Sequence, residues 1–308
     1  MEFGNVVHLK LNEVWKREAT NFTPWIAERV SEIGNILGYE FEHLQQEAPV
    51  GDFSLDILAK DLGTNRFVVI ENQYGRTDHD HLGKLLTYTA GYNAKIIIII
   101  SEEFRDEHKK ALEWLNENTN SDVEFYGLSV SVFKIDDSKP AYGFNIVVAP
   151  NEWQKSTIEK VVNTNSERSE RYQQFYQTVL DELREKKFSN AKKAQPQNWY
   201  TFTSGIPGYG LGLSFSKNST ARVELYIDCG DTEKNKERFD KLFGQKEKIE
   251  SEIKEKLLWE RLDNKQASRV AVEIEGTIHD SDEELEKIRS WMIDRIVRFK
   301  AIFAKFLR

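Results

Sequence analysis

Cysteine is nearly absent from this chain, because its 308 residues include only Cys229. A single thiol cannot close a disulfide within the chain, and no group of cysteines and histidines has the spacing of a zinc site. The composition therefore excludes a disulfide-stapled or zinc-ribbon protein. A reducing, cytoplasmic compartment is the simplest expectation.

Long hydrophobic runs are also missing. The longest, residues 96–100, is far shorter than a membrane-spanning helix requires. The first residues lack the basic start and apolar stretch of a signal peptide, so we expect no membrane partner. Hydrophobic residues make up 39% and charged residues 31% of the chain, a balance typical of folded domains and not of disorder.

Positive charge is in deficit, with 43 Lys and Arg against 51 Asp and Glu and a formal net charge of −8. This deficit argues against a protein that coats nucleic acid without specificity, because phosphate contacts need Lys and Arg. It does not exclude a nuclease. A catalytic site built from carboxylates is itself acidic, and bound cations offset its charge.

The first half of the chain has the periodicities of an α/β domain. Thr23 and Pro24 mark a helix start, since Thr caps and Pro suits the first turn, and Gly38 ends that helix. The elements predicted after it are strands 52–59 and 67–73, helix 81–90, strand 95–100, helix 105–118, and strands 123–135 and 144–148. This order predicts a mixed sheet flanked by helices.

The second half is predicted to form a separate α+β domain. Polar residues 163–166 mark the boundary, which gives domains 1–155 and 165–308. The predicted elements are helix 168–187, a β meander over 199–229, charged helix 235–262, strand 269–278 and helix 283–307. The length of the chain is sufficient for two such domains.

Two neighbouring strands each carry a carboxylate near the end of an apolar run. Asp56 lies on the first strand, and Glu71 lies on the second, where Gln73 shares its face because strand side chains alternate. The turn at Gly63 can bring the strands side by side. Two such carboxylates repel each other, and a divalent cation relieves both; Mg²⁺ prefers one or two carboxylates with water and phosphate oxygens.

Asp56 followed by Glu71-x-Gln73 resembles the PD-(D/E)XK nucleases. Residues 50–94 as a whole resemble the nuclease-like half of bacterial proteins that carry a C-terminal domain of unknown function. The resemblance implies a restriction-endonuclease-like sheet and hydrolysis of nucleic-acid phosphodiesters with Mg²⁺ or Mn²⁺. It assigns the metal to Asp56 and Glu71, helped by the backbone carbonyl of Asn72. The family usually has Lys where this chain has Gln73, although some restriction endonucleases also carry Glu-x-Gln.

The helix after these strands offers a second match. Many of these nucleases carry Gln-x-x-x-Tyr there, and this chain has Lys84 and Tyr88 at the same spacing, on one helix face. We hypothesise that Lys84 supplies from the helix the cation that Gln73 does not. A solvated lysine and a packed tyrosine are the alternatives.

Three further residues are candidates for the same site. Glu28 matches the place where several of these families carry an extra acidic residue, and it could equally pair with Arg29. His79 and His81 precede Lys84, and His81, one turn before it, is placed to face the same cleft. Capping of the helix is the other role open to both histidines.

The second half offers candidates for phosphate contact. Its most basic segment contains Lys186, Lys187, Lys192 and Lys193, which a solvated helix end explains equally well. Aromatics interleaved with basic residues over 199–222 could stack on bases, but the core of a sheet explains them better.

These observations predict a Mg²⁺-dependent endonuclease acting on DNA, in bacterial defence or restriction. An inactive nuclease fold that serves as a binding adaptor is the alternative. A homodimer would suit cleavage of both strands, and the sequence leaves the oligomeric state open.

Overall fold

The computed structural model describes residues 3–120, 122–150, 167–216 and 219–307. The chain divides into two compact units. The first comprises Met1–Ile33, His43–Asp61 and Asn65–Thr164, and the second comprises Gly34–Glu42, Leu62–Thr64 and Asn165–Arg308. The second unit therefore includes two short segments from the first half, and the predicted linker at 163–166 lies outside the described residues.

The elements of the first half follow the predicted order from residue 53 onward. In chain order they are β1 (Val6–Leu9), α1 (Leu11–Val14), a π-helical turn (Glu18–Phe22), α2 (Thr23–Ala27), α3 (Val30–Leu37), β2 (Phe41–Val50), β3 (Phe53–Asp61), β4 (Arg66–Asn72), α4 (His79–Tyr92), β5 (Ile96–Ser101), α5 (Asp106–Asn118), β6 (Glu124–Ile135) and β7 (Ala141–Val148). The helix predicted from residue 23 is in fact two helices, α2 and α3.

The first half builds one mixed sheet, which has seven strands within the described residues. The order is β1-β6-β5-β4-β3-β2, with β7 also paired to β6. Strands β4, β5 and β6 are parallel, whereas β3 pairs antiparallel with β4. Helix α4 packs on β3, β4 and β5, and α5 packs on β6 and β7. The residues of β5 are all buried, as expected of a central strand covered on both faces.

The second half is an antiparallel sheet with long helices. Its elements are α6 (Glu167–Glu185), β8 (Trp199–Thr203), β9 (Tyr209–Phe215), β10 (Thr220–Ile227), α7 (Thr232–Phe243), α8 (Lys246–Ile253), β11 (Leu258–Glu260), β12 (Ser268–Glu275) and α9 (Asp282–Phe303). The strand order is β11-β12-β10-β9-β8. The predicted fold class, a helix-flanked mixed sheet followed by an α+β unit, is confirmed.

Two further predictions about secondary structure were wrong. Strand β2 was not expected, because residues 41–50 are largely polar and do not alternate. The helix predicted over 235–262 is divided into α7 and α8 and is followed by a strand. Lys254 ends α8 in the left-handed conformation, and the Glu250 carboxylate then accepts the backbone N–H of Leu257 at 3.0 Å.

The aromatic residues of the meander belong to the core of the second unit. Tyr200, Tyr209 and Phe215 are buried against α6 and α9, which is the role that the sequence favoured over base stacking. The hydroxyl of Tyr176 on α6 donates to the carbonyl of Asn198 at 3.0 Å, which fixes this helix on the sheet. Within the described residues, no helix is long and apolar enough to cross a membrane.

Candidate active site

The two predicted carboxylates lie side by side where the pairing of β3 with β4 ends. The register pairs Ile57 with Ile70 and Leu58 with Val69. Extending it by one residue sets Asp56 opposite Glu71. Directly opposed residues point to the same face of a sheet, and here that face also carries Leu58 and Val69, which pack in one core cluster with α4 residues. Asp56 and Glu71 therefore face α4 together.

Backbone amides hold the two carboxylates in place. The N–H of Asn72 donates to Oδ2 of Asp56 at 2.8 Å, and the backbone N–H of Asp56 donates to the carboxylate of Glu71. Each strand thus orients the acid of its neighbour. The side chains are fixed before any ligand arrives, as a preorganised site requires.

Burial raises the pKa values of both acids. Burial first, and then the charge of Asp56, raise the pKa of Glu71 to about 9. Burial also raises the pKa of Asp56 to about 7, although the hydrogen bond from Asn72 opposes that rise. Glu47 and Glu18 add repulsion at Asp56. Two neighbouring acids whose pKa values are both raised are a frequent mark of a functional site.

Two buried oxygen atoms at this place have no hydrogen-bond partner within the described residues, Oε2 of Glu71 and Oε1 of Gln73. The orientation of the Gln73 amide is determined, because its Nε2 donates to the carbonyl of Arg76 at 2.9 Å and approaches Oδ2 of Asp78 at 3.4 Å. Both partners can only accept. Gln73 consequently presents Oε1 as a hydrogen-bond acceptor. The lysine usual at this position in the nucleases that the motif resembles would present a cationic donor instead.

This donor set fits a hard divalent cation. Unpartnered buried oxygens are costly unless a ligand satisfies them, and the acids at 56 and 71 are the ligand type that Mg²⁺ prefers. In the part of the chain that the structure describes, no three His, Cys, Asp or Glu side chains form a metal-binding group. An ion here would therefore need carbonyl and water oxygens beside the two acids.

Asn72 takes part through its backbone and not through its side chain. Its Nδ2 donates to Oγ1 of Thr23 at 3.0 Å, so the amide points to the opposite face of the sheet, toward α2. The backbone carbonyl of Asn72, which the resemblance assigns to the metal, therefore remains the predicted ligand from this residue.

Lys84 and Tyr88 share the face of α4 that approaches Glu71. Lys84 pairs with Asp80 at 2.8 Å, and its charge also lowers the pKa of Glu71. Tyr88 is buried, and burial followed by the charge of Glu71 raises the pKa of its hydroxyl. The structure thus brings both helix residues to the acidic pair.

Glu28 is not brought to this cluster. Its side chain is 75% exposed and pairs with Arg29 at 3.4 Å. The additional acid near the site is Glu18 instead. Its carboxylate accepts the backbone N–H of Tyr74 at 2.6 Å, and its charge raises the pKa values of Asp56 and Glu71.

Glu47 is a second acid that sequence reasoning missed. It lies on β2 in the left-handed conformation, with φ 47°, and its carboxylate accepts the hydroxyl of Ser54 at 2.8 Å. Ser54 shares the face of Asp56 by strand alternation. The turn at Gly51 and Asp52 was the available signal, because a hairpin there sets Glu47 near Ser54.

The basic residues predicted to contact phosphate lie in the second unit. Lys186, Lys187 and Lys192 are exposed and Lys193 is half-buried. They follow the end of α6, and Lys187 is in the left-handed conformation typical of a helix C-terminus.

Comparison with known proteins gives limited matches. A family model described as "Domain of unknown function (DUF4268)" matches residues 171–307. No curated protein sequence matches the chain. Among solved structures, a repair endonuclease from Pyrococcus abyssi is 18% identical over 29% of this chain and 41% of that one, with a TM-score of 0.25. A structure described as an EndoMS–dsDNA2 complex is 20% identical over 34% and 43%, with a TM-score of 0.27. This chain spans less than half the length of either structure.

Proposed function

We propose that the first unit is a metal-dependent endonuclease that hydrolyses phosphodiester bonds, with DNA as its substrate. The observation that carries the proposal is the pairing of half-buried Asp56 with buried Glu71, whose Oε2 has no hydrogen-bond partner among the described residues. Buried carboxylates without a counter-charge are costly. A divalent cation would offset that cost and bring phosphate oxygens to the same place.

Asp56 and Glu71 would hold Mg²⁺ or Mn²⁺, together with the backbone carbonyl of Asn72. When bound, such a cation lowers the pKa of a coordinated water and stabilises negative charge on the phosphate. Gln73 offers Oε1 as an acceptor, so it can orient a water molecule through one of that water's hydrogens. The amide brings no positive charge, and another residue must provide one.

Lys84 is our candidate for that charge. The Lys84 side chain is 37% exposed and its charge acts on Glu71, so it can reach both solvent and the site. Its partner Asp80 is 74% exposed, and such a surface pair is weak enough for a phosphate to replace. Tyr88, four residues further along the helix, would donate its hydroxyl to a phosphate oxygen.

Lys84→Ala should then abolish cleavage while the fold stays intact, as circular dichroism would verify. Wild-type cleavage rates in this variant would contradict the assignment.

The central experiment is incubation with duplex DNA, single-stranded DNA and RNA in Mn²⁺. We expect cleavage by the wild type and none by Glu71→Gln. Glu28→Gln is the matched control, because it makes the same change at an exposed acid paired with Arg29, and it should cleave normally. Cleavage by Glu71→Gln at the wild-type rate would refute the proposal.

A binding adaptor without catalysis is the second candidate, and Gln73 in place of the usual lysine favours it. Thermal unfolding with and without millimolar Mn²⁺ separates the two. A working site gains stability from the ion, and Asp56→Ala should remove that gain. An ion-independent melting temperature together with retained DNA binding would support the adaptor.

The second unit would add phosphate contacts through Lys186, Lys187, Lys192 and Lys193. A role in bacterial defence or restriction is the biological setting that the resemblance suggests, within the cytoplasm. A homodimer would present two sites to the two strands of a duplex. Sedimentation of the chain with and without duplex DNA tests this arrangement.

A further inference from the structure

Asp78 and His81 form a carboxylate–imidazole pair where α4 begins. Oδ1 of Asp78 accepts the backbone N–H of His81 at 2.9 Å, which caps the helix. The same carboxylate lies 2.9 and 3.1 Å from Nδ1 of the His81 ring. Burial raises the pKa of Asp78, but the hydrogen bonds from His81 outweigh it and hold the pKa below its ordinary value.

The carboxylate fixes the tautomer of the ring. An ionised carboxylate can only accept, so Nδ1 of His81 must carry the hydrogen. In the neutral ring, Nε2 then carries the lone pair. This is the arrangement in which a carboxylate orients a histidine to take a proton at its far nitrogen.

The loop that carries Asp78 is held firmly. Nε2 of Gln73 approaches Oδ2 of Asp78 at 3.4 Å, which joins the pair to the end of β4. Thr77 is buried, and its N–H donates to the carbonyl of Glu103 at 2.9 Å. Its Oγ1 accepts the N–H of Arg105 at 3.0 Å. The imidazole therefore has a defined direction without a bound ligand.

His81 borders the proposed cleavage site. Within the described residues its charged neighbours include Asp78 in the loop, Asp56 on β3, whose pKa a protonated His81 lowers, and Lys84 one turn further along α4. The side chain is 21% exposed, so the ring is partly shielded but open to water.

We propose that His81 is the general base of the reaction, an inference that rests on the proposed function. Its Nε2 accepts a proton from the attacking water as the oxygen of that water bonds to phosphorus. The phosphorus–oxygen bond to the leaving group breaks, and the leaving oxygen takes a proton from solvent. The products are a phosphomonoester and a hydroxyl group.

His79 provides a matched control two residues away. Its Nδ1 lies 3.0 Å from Nε2 of His108, and the other ring nitrogen of His108 lies 2.8 Å from Oγ1 of Thr77. His79 is thus engaged with α5 through His108. Replacing it changes the histidine content of the same helix turn without touching the proposed base.

The test compares His81→Gln and His79→Gln in single-turnover cleavage of a DNA oligonucleotide with Mn²⁺, from about pH 5 to about pH 9. With Mn²⁺ at saturation, His81→Gln should lower the rate by about 100-fold or more across this pH range. His79→Gln should stay within about twofold of the wild type. Both variants should keep the thermal shift produced by Mn²⁺, which shows that the cation site is intact.

A second readout is independent of cleavage. Imidazole ¹⁵N spectra should show the Nδ1–H tautomer for His81, and Asp78→Asn should lose that preference. An Nε2–H tautomer in the wild type, or unchanged cleavage by His81→Gln, would overturn the proposal and leave the proposed function standing. A wild-type chain that cleaves no nucleic acid would overturn both.

Discussion

Replacing Glu71 with glutamine should stabilise the metal-free protein while it removes the cation site. Glu71 is 3% exposed, and burial, followed by the charge of Asp56, raises the pKa of its carboxyl from the ordinary 4.5 to about 9. Glutamine has nearly the same shape. It can still accept the backbone N–H of Asp56, and it has no charge to remove from water.

The size of the gain depends on pH. Below pH 4.5 both the folded and the unfolded chain bind the proton, so the carboxyl has no effect on stability. Between pH 4.5 and about 9 the unfolded chain has lost the proton that the folded chain keeps, so stability falls as pH rises. One pKa unit corresponds to about 1.4 kcal/mol, and the carboxyl therefore costs about 3 kcal/mol at pH 7.

The assay is urea unfolding in EDTA at several pH values. The free energy of unfolding of Glu71→Gln should match that of the wild type near pH 4 and exceed it by about 3 kcal/mol at pH 7. The control Glu28→Gln should differ from the wild type by less than about 0.5 kcal/mol throughout. A difference that does not vary with pH, or a variant less stable than the wild type at pH 7, would show that this carboxyl is not protonated in the folded state.

Three further predictions concern the site and its surroundings. Binding of Mn²⁺ at pH 7 should release protons, because the ion needs ionised carboxylates and Glu71 is protonated in the metal-free protein. Calorimetry in buffers of different ionisation enthalpy measures this release, and Asp56→Ala should abolish it. Tyr88→Phe should lower cleavage while changing the free energy of unfolding by less than about 1.5 kcal/mol, whereas Tyr88→Ala should cost about 3–5 kcal/mol through the cavity it leaves. Replacing the four lysines of the second unit with alanine should weaken DNA binding and flatten its dependence on salt, as titrations at several salt concentrations would reveal; an unchanged slope would exclude them from the interface.

The approach of Asp56 to Glu71 could be predicted from the local sequence pattern. Strands β3 and β4 are apolar runs with a turn between them, so a hairpin and the approach of Asp56 to Glu71 follow from the sequence. The spacing of Lys84 and Tyr88 likewise places them on one helix face. That this face is turned toward Glu71 required the packing of α4 on the sheet.

Other parts of the site could not be predicted, because they depend on segments far apart in the chain. Glu18 reaches the pair through a π-helical turn and the N–H of Tyr74, and no spacing rule links those residues. Glu47 lies on β2, a strand whose polar residues hide its periodicity. Glu28, chosen because it matches the place where several of the resembling families carry an extra acidic residue, faces solvent because the predicted helix breaks there.

The sequence by itself determined that Asp56 and Glu71 come together and that Lys84 and Tyr88 share one helix face, since alternation along a strand and the turn of a helix are properties of the local backbone. Only the tertiary structure decided their ionisation and direction. The pKa of Glu71 follows from its burial beside Asp56, and the orientation of Gln73 and His81 follows from the shared carboxylate of Asp78. Burial and hydrogen-bond partners are products of packing between distant segments, and no local pattern encodes them.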